Sequence, residues 1–397
     1  MFSEGMSGKK TNVNYDGFIT HLESLCANSE QNNRIALFGE AGVGKSTFLA
    51  KLTLDWASGG RLNAFDLLFL IPLREIERNT YFGDTIIGKL TDEVEFDGSR
   101  LEEYIQENQQ NVLILYDGFD EYRNDIEGNG SDDAVIAVLR GEKFTCSPVI
   151  VTTRPWRVID IKSDTEVEKR YRFFEIEGFT ETDVETYISK SFPNNAEARN
   201  GLFELMTEPG SFVRENMTPY PIFCRMLCYI WQNEGSRGVL QGLETLAQLF
   251  DEMLRHLKDH FAGKEKDYEK QRTRLEQAEG CLKSFAKDAM DSLLENKLVF
   301  GEEDLKTSQD DLETVCEIGV LTRKERFVSR RKNNRRETKY LVEYRIPHKL
   351  FQEYLAGMHL ASLYEGDREQ FQHLLIQLMA NYRSTPNCKF SRVLARS

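Results

Sequence analysis

Long hydrophobic runs are missing from this chain. The longest, LLFLIPL (Leu67–Leu73) and VLILY (Val112–Tyr116), fall far short of the ~20 apolar residues that span a bilayer, so neither a transmembrane helix nor a membrane partner is expected. The N-terminus, MFSEGMSGKKTNVNYDG, has no apolar stretch and no cleavage site and does not read as a secretory signal. Paired cysteines are also absent. The seven (Cys26, Cys146, Cys224, Cys228, Cys281, Cys316, Cys388) are scattered, odd in number and without a CxxC, which argues against a disulfide framework or zinc site and fits reduced thiols in a cytoplasmic protein. Proline is scarce, 9 in 397 residues, beside a 40% hydrophobic and 11% aromatic fraction; that balance excludes a disordered or fibrous chain and allows a sizeable core. Positive charge is outweighed, 51 Lys+Arg against 65 Asp+Glu for a net −14. Any affinity for nucleic acid therefore has to be local.

At roughly 150 residues per domain the length implies two or three domains. Residues 1–32 read as a polar lead-in with one short amphipathic helix near Phe18–Leu25. Then RIALFG forms a buried-strand run, followed by a glycine-rich turn and the helical pattern STFLAKLTLDWA. Further β-type runs are FDLLFLI (Phe65–Ile71), NVLILY (Asn111–Tyr116), PVIVTT (Pro148–Thr153) and RFFEIEGF (Arg172–Phe179), with helix-like stretches Phe82–Val94, Leu101–Asn108 and Asp132–Arg140 between them. Apolar strands alternating with helices imply an α/β domain whose parallel sheet is covered by helices on both faces, ending near Glu177. From Thr180 onward helix patterns take over: Asp183–Ser191, Ala196–Met206, Pro221–Trp231, Leu243–Phe261, Glu269–Glu295 and Lys349–Leu363. They are interrupted once, by alternating residues Arg323–Tyr344 around Asn333 and Asn334, which predict a β-hairpin. Helices flanking a charged hairpin suggest a winged-helix lobe. No internal repeat of fixed period is visible.

The motif Gly39-Glu40-Ala41-Gly42-Val43-Gly44-Lys45-Ser46 fits GxxxxGK(S/T) and lies between a β run and a helix. By composition alone such a pattern arises in roughly one chain in a hundred of this length, and its strand–helix context lowers those odds. The glycines let backbone N–H groups wrap a phosphate, the helix N-terminus adds its positive dipole end, Lys45 supplies a charge for the β and γ phosphates, and Ser46, followed by Thr47, offers a hydroxyl to Mg²⁺. Downstream, VLILY runs into DGFDE (Asp117–Glu121). Asp117 at a buried strand's end suits a Mg²⁺-bound water, and Asp120 or Glu121 suits the base that polarises a hydrolytic water. Three acids there would be costly to bury without a cation. The next strand ends in TTRP, placing Arg154 where it can sense a γ-phosphate. No (N/T)KxD stretch ends a strand, which disfavours guanine.

With those residues in hand the chain resembles the NACHT family of signal-transduction P-loop ATPases, the nucleotide-switch module of NOD-like receptors. The likeness is carried by GEAGVGKS, IPLRE (Ile71–Glu75), LILYDGFDE and VTTRP, then by TPYPIFCRMLC (Thr218–Cys228), LETLAQLFDEML (Leu243–Leu254) and YRIPHKLFQEYLAG (Tyr344–Gly357). It covers roughly residues 30 to 365, and no Gly stands two positions before Pro221, a departure from the family pattern. The resemblance implies ATP/ADP and Mg²⁺ as ligands, a proline against adenine at Pro221 and a β-phosphate contact from His348. It implies a P-loop NTPase domain at 33–178, a helical domain at 179–240, a winged-helix domain at 241–365 and the start of a further helical segment at 366–397. It also implies a weak ATPase acting as a switch in innate immune or cell-death signalling, a monomer with ADP and a homo-oligomer with ATP, and it names no effector or adaptor. Two other readings stand beside it. The intact acidic set suits a remodelling ATPase with sustained turnover. Nine Lys/Arg between Arg323 and Lys339, against Glu325 and Glu337 alone, suit nucleic acid, although a solvated hairpin explains them more simply.

Overall fold

The computed structural model describes residues 2–6, 9–27, 33–76, 82–87, 98–122, 133–295, 297–332, 335–346 and 348–383, with 2–12, 25–27, 84–85, 87, 325–341 and 381–383 described by their backbone alone. The chain divides into two compact units, Met1–Gly178 with Ser329–Glu337 and Phe179–Val328 with Thr338–Ser397.

The first unit is built on strands β1 (Phe2–Met6), β2 (Lys9–Val13), β3 (Arg34–Phe38), β4 (Leu67–Pro72), β5 (Val112–Asp117), β6 (Val149–Thr153) and β7 (Tyr171–Ile176), in the order β2-β1-β7-β3-β6-β5-β4. The five strands β7, β3, β6, β5 and β4 are parallel. Every residue of β5 and β6 is buried, because both faces of a parallel sheet are covered by helices and each side of the pleat must be apolar. On one face Ala36, Ile114, Tyr116, Val149 and Val151 meet the helices Gly98–Glu107, Ala134–Arg140 and Val158–Ser163. On the other, Ile35, Leu37, Leu113, Leu115 and Ile150 meet the helices Tyr15–Ala27 and Lys45–Ala57. The even-and-odd split of neighbouring strand residues is the two-residue strand period made physical.

The N-terminal segment departs from its expected role as a polar lead-in. β1 and β2 form an antiparallel pair, and β1 joins β7 with Phe2 opposite Ile176. Backbone hydrogen bonding at a sheet edge needs no apolar side chain, so this pair carries no hydrophobic signature. The following helix is also part of the core, with the Phe18 ring 5.1 Å from Phe48 and 5.2 Å from Phe174. Residues 88–94 of the expected helix Phe82–Val94 lie outside the described residues; the described part is Phe82–Ile87.

The second unit is mainly helical. Glu181–Ser191, Ala196–Thr207, Pro221–Trp231, Leu246–Ala262 and Tyr268–Leu294 follow the expected periodicities closely. Short helices Phe212–Asn216 and Arg237–Gln241, and Gln309–Ile318 with its Ser308 cap, were not anticipated. Strands β8 (Val299–Gly301), β9 (Thr322–Lys332) and β10 (Arg335–Arg345) form a sheet in the order β8-β10-β9. The expected hairpin is thus two adjacent strands, while Asn333 and Asn334 lie outside the described residues. A continuous core runs from Val184 to Leu355. A smaller one joins Met290, Leu293, Ala356, Leu360, Leu374 and Leu378, where Tyr268–Leu294 and Lys349–Gly366 meet the last helix, Arg368–Arg383. Cys224 and Cys228 are buried free thiols of the larger core, pushed up to about 12 and about 11 by that burial. They are inert packing residues.

Candidate functional site: a phosphate loop beside paired acids

The register of the parallel strands assembles the site. Phe38 lies opposite Thr153, Tyr116 opposite Val151 and Pro72 opposite Asp117. The segments after β3, β5, β6 and β4 therefore leave the sheet side by side at its carboxyl edge, where open α/β sheets bind ligands.

After Phe38 the loop turns through Gly42 at φ 79° and Gly44 at φ 106°, a left-handed region that only glycine enters freely. Gly44 ends the loop as the N-cap of Lys45–Ala57, and no side chain caps that helix. Its first N–H groups are left for an anion. A Cβ added at Gly44 would meet nothing within 4 Å, whereas one at Gly39 would come within 2.9 Å of Val43 Cγ1. Open space over Gly44 is where a phosphate fits, and Gly39 is needed for close packing at the strand's end. The Lys45 ammonium donates to Gly39 O at 2.7 Å and Glu40 O at 3.1 Å. Burial holds its pKa below that of an ordinary lysine; Asp120, Asp117 and Glu121 oppose that shift, and Arg154 adds to it. Ser46 and Thr47 are exposed in the helix's first turn.

Across from the loop, Asp117 ends β5 and is buried. Gly118 follows at φ 83°, and a Cβ there would sit 3.1 Å from Glu121 Oε2. This turn folds Phe119–Glu121 back as a 3₁₀ segment and brings both later acids to the site. Asp120 is buried and bonded to Arg154, Nε to Oδ2 at 2.9 Å. Glu121 pairs more loosely with Arg74, Nη1 to Oε2 at 3.6 Å. Arg74 arrives through the register, two residues beyond Pro72. The Thr152 hydroxyl donates to Asp117 Oδ1 at 2.7 Å and accepts the Gly118 N–H at 2.8 Å. Neither Thr152 nor Gly118 is marked by its own chemistry in the sequence; TT ahead of RP and a glycine directly after a strand-end acid are the signals that point to them.

The structure thus brings Gly39–Thr47, Asp117, Asp120, Glu121, Arg154 and Arg74 together in one unit. Their chemistry fits a nucleoside di- or triphosphate with a hard cation: N–H groups and an ammonium for phosphate, a hydroxyl and a carboxylate for Mg²⁺, which takes few protein ligands when phosphate oxygens supply the others. Pro221 and His348 belong to the second unit. Pro221 opens the helix Pro221–Trp231 at its first position, a place proline favours for its own reasons. His348 is the N-cap of Lys349–Gly366, where its Nδ1 accepts the Leu350 N–H at 3.2 Å.

A parallel sheet with such a loop after β3, an arginine after the neighbouring strand β6 and acids after β5, one strand further along, defines a P-loop nucleotide-binding domain. Residues 33–195 match the NACHT domain model. Among curated proteins the chain is 27% identical over 219 residues to NACHT, LRR and PYD domains-containing protein 2 of Homo sapiens, covering 51% of this chain and 20% of that protein. It is 24% identical over 368 residues to NACHT, LRR and PYD domains-containing protein 3 of Mus musculus, covering 86% and 32%. It is 24% identical over 353 residues to NLR family CARD domain-containing protein 4 of Xenopus tropicalis, covering 88% and 31%. The chain therefore spans between a fifth and a third of these relatives' lengths. Among the described residues no helix is long and apolar enough to cross a membrane.

Proposed function

We infer that the chain is an adenine-nucleotide switch of the NOD-like receptor type, in which slow ATP hydrolysis controls conformational opening and self-association in innate immune or cell-death signalling. The observation that carries this reading is the convergence of Asp117, Asp120, Glu121 and Arg154 around the Lys45 ammonium, which the loop carbonyl of Gly39 holds at 2.7 Å. The loop N–H groups and Lys45 bind the phosphates. Mg²⁺, held through Ser46 and Asp117, neutralises phosphate charge when bound. Glu121, whose side chain is 16% exposed against 5% for Asp120, is the better placed of the two acids to polarise a water. Slow turnover follows from the pairing: Asp120 is engaged by Arg154 and Glu121 by Arg74, so neither carboxylate is an unencumbered base. Pro221 on adenine, His348 on the β-phosphate and a winged-helix role for the segment holding β8, β9 and β10 complete the switch by likeness to the family.

The experiment is nucleotide identification by mass spectrometry on the purified chain, with its oligomeric mass measured in ADP and in ATP. ADP is the expected occupant, with a monomer in ADP and a larger assembly in ATP. Lys45→Ala should bind both nucleotides at least tenfold more weakly, a loss of about 1.4 kcal/mol or more. Unchanged binding by that variant sinks the reading, and rapid steady-state hydrolysis by the unaltered chain points to a remodelling ATPase instead.

A further inference from the structure

Thr152 is the penultimate residue of β6 and is fully buried. Because Tyr116 lies opposite Val151, the next residues along, Asp117 and Thr152, come side by side. The hydroxyl takes the Gly118 N–H at 2.8 Å and gives its own proton to Asp117 Oδ1 at 2.7 Å. One side chain thus ties together the carboxylate that ends β5 and the amide that begins the turn beyond it. Asp117 Oδ2 takes no hydrogen bond from any of the described residues. Thr153, next along the strand and equally buried, has an Oγ1 without a hydrogen-bond partner among the described residues. Two adjacent buried threonines therefore differ in the one respect that bears on the acid.

An ionised carboxylate only accepts, and it is free to rotate unless a donor pins one oxygen. A donor that is itself accepting an N–H is polarised and holds more strongly. We propose that Thr152 is a positioning residue for the divalent cation of the bound nucleotide: it fixes the Asp117 carboxylate so that Oδ2 faces the cation's ligand shell. The proposal rests on the nucleotide reading above. It assigns the metal dependence of that site to a residue that touches neither metal nor phosphate, acting only through Asp117.

The test measures binding and not turnover. Affinity of the full chain for a fluorescent ADP analogue is followed against Mg²⁺ in the unaltered protein, Thr152→Val, Thr152→Ser and Thr153→Val. Loss of an outer-shell partner weakens metal binding on the order of ten- to a hundred-fold, so Thr152→Val should raise the Mg²⁺ midpoint about tenfold or more. Its affinity for the analogue in EDTA should stay at the unaltered level. Thr152→Ser restores the midpoint, and Thr153→Val, of the same shape change next door, leaves it alone. Should Thr152→Val fail to fold by thermal melt, Thr152→Ala carries the same expectation. A wild-type midpoint in the valine or alanine variant overturns the proposal, as does an equal shift in Thr153→Val. An unaltered chain that binds no analogue at any Mg²⁺ concentration overturns the nucleotide reading itself, a failure visible before any variant is made.

Discussion

Single side chains in this protein do their work through what they are tied to. Arg34 reads as an ordinary strand-start cation, yet it is fully buried, its guanidinium donating to Val138 O at 3.1 Å, to Asn33 Oδ1 at 2.6 Å and to the Phe144 and Thr145 carbonyls at 3.4 Å. It stabilises the end of Ala134–Arg140 and the loop into β6, and burial pushes its pKa down. His256 in the second unit is held in a similar way. Its Nε2 lies 2.8 Å from the Ser236 hydroxyl, with Glu252 at 3.4 Å and Arg255 at 3.3 Å, and the Tyr229 ring packs edge-on. Burial, then Arg255, lowers its pKa, while Glu252 and Asp259 oppose them. The unfolded chain, with an ordinary histidine near 6.5, binds that proton more readily than the folded one. Stability from this group is therefore complete above that value and is lost as pH falls through it toward the depressed folded value. Glu252, with its pKa lowered chiefly by Arg255, retains its contribution in the same window, since that is lost only at lower pH. Urea midpoints measured from pH 7.5 to 5.5 should fall in the unaltered chain and flatten in His256→Asn; parallel profiles would show that another group governs the slope.

At the level of elements, caps and register carry the organisation. Ala134–Arg140 has only 7 residues, too few to be stable alone. Asp133 secures it, accepting the Val135 and Ile136 N–H groups and the Tyr122 hydroxyl at 2.8 Å, and Gly141 closes it at φ 76°. Asp133→Ala removes a cap and takes from the buried Tyr122 hydroxyl its bond to this carboxylate, so a loss of about 1–2 kcal/mol is expected, read as a lower denaturant midpoint with unchanged slope. The β5 and β6 runs were legible because a strand buried on both faces must be apolar throughout, and the long helices because their periodicity must face one core. β1 and β2 were not, since edge pairing is a backbone property. Helix Gln309–Ile318 was readable in principle: Ser308 caps it by accepting the Asp311 N–H, and Gly319 ends it at φ 94°.

For the molecule as a whole, two units with separate cores predict two energetic partners within one chain. A ligand that binds one folded unit stabilises that unit by mass action. Saturating Mg²⁺–ADP at about a hundred times its dissociation constant should add about 2.7 kcal/mol to the unfolding of the phosphate-loop unit. Calorimetry of the full chain should show at least one transition moving up with nucleotide, and Lys45→Ala should abolish that movement. A thermogram indifferent to Mg²⁺–ADP would contradict nucleotide binding directly.

The sequence by itself determined the class of site. Glycines at the required spacing, a lysine at a helix start, acids closing an apolar run and an arginine closing the next are local facts, and local chemistry reads them. What tertiary structure alone decided is who holds whom: Asp120 with Arg154, Glu121 with Arg74, Asp117 with Thr152, and Arg34 among carbonyls. The three acid pairs join residues far apart in the chain that end or follow neighbouring parallel strands, and register is a property of the assembled sheet that no single segment encodes.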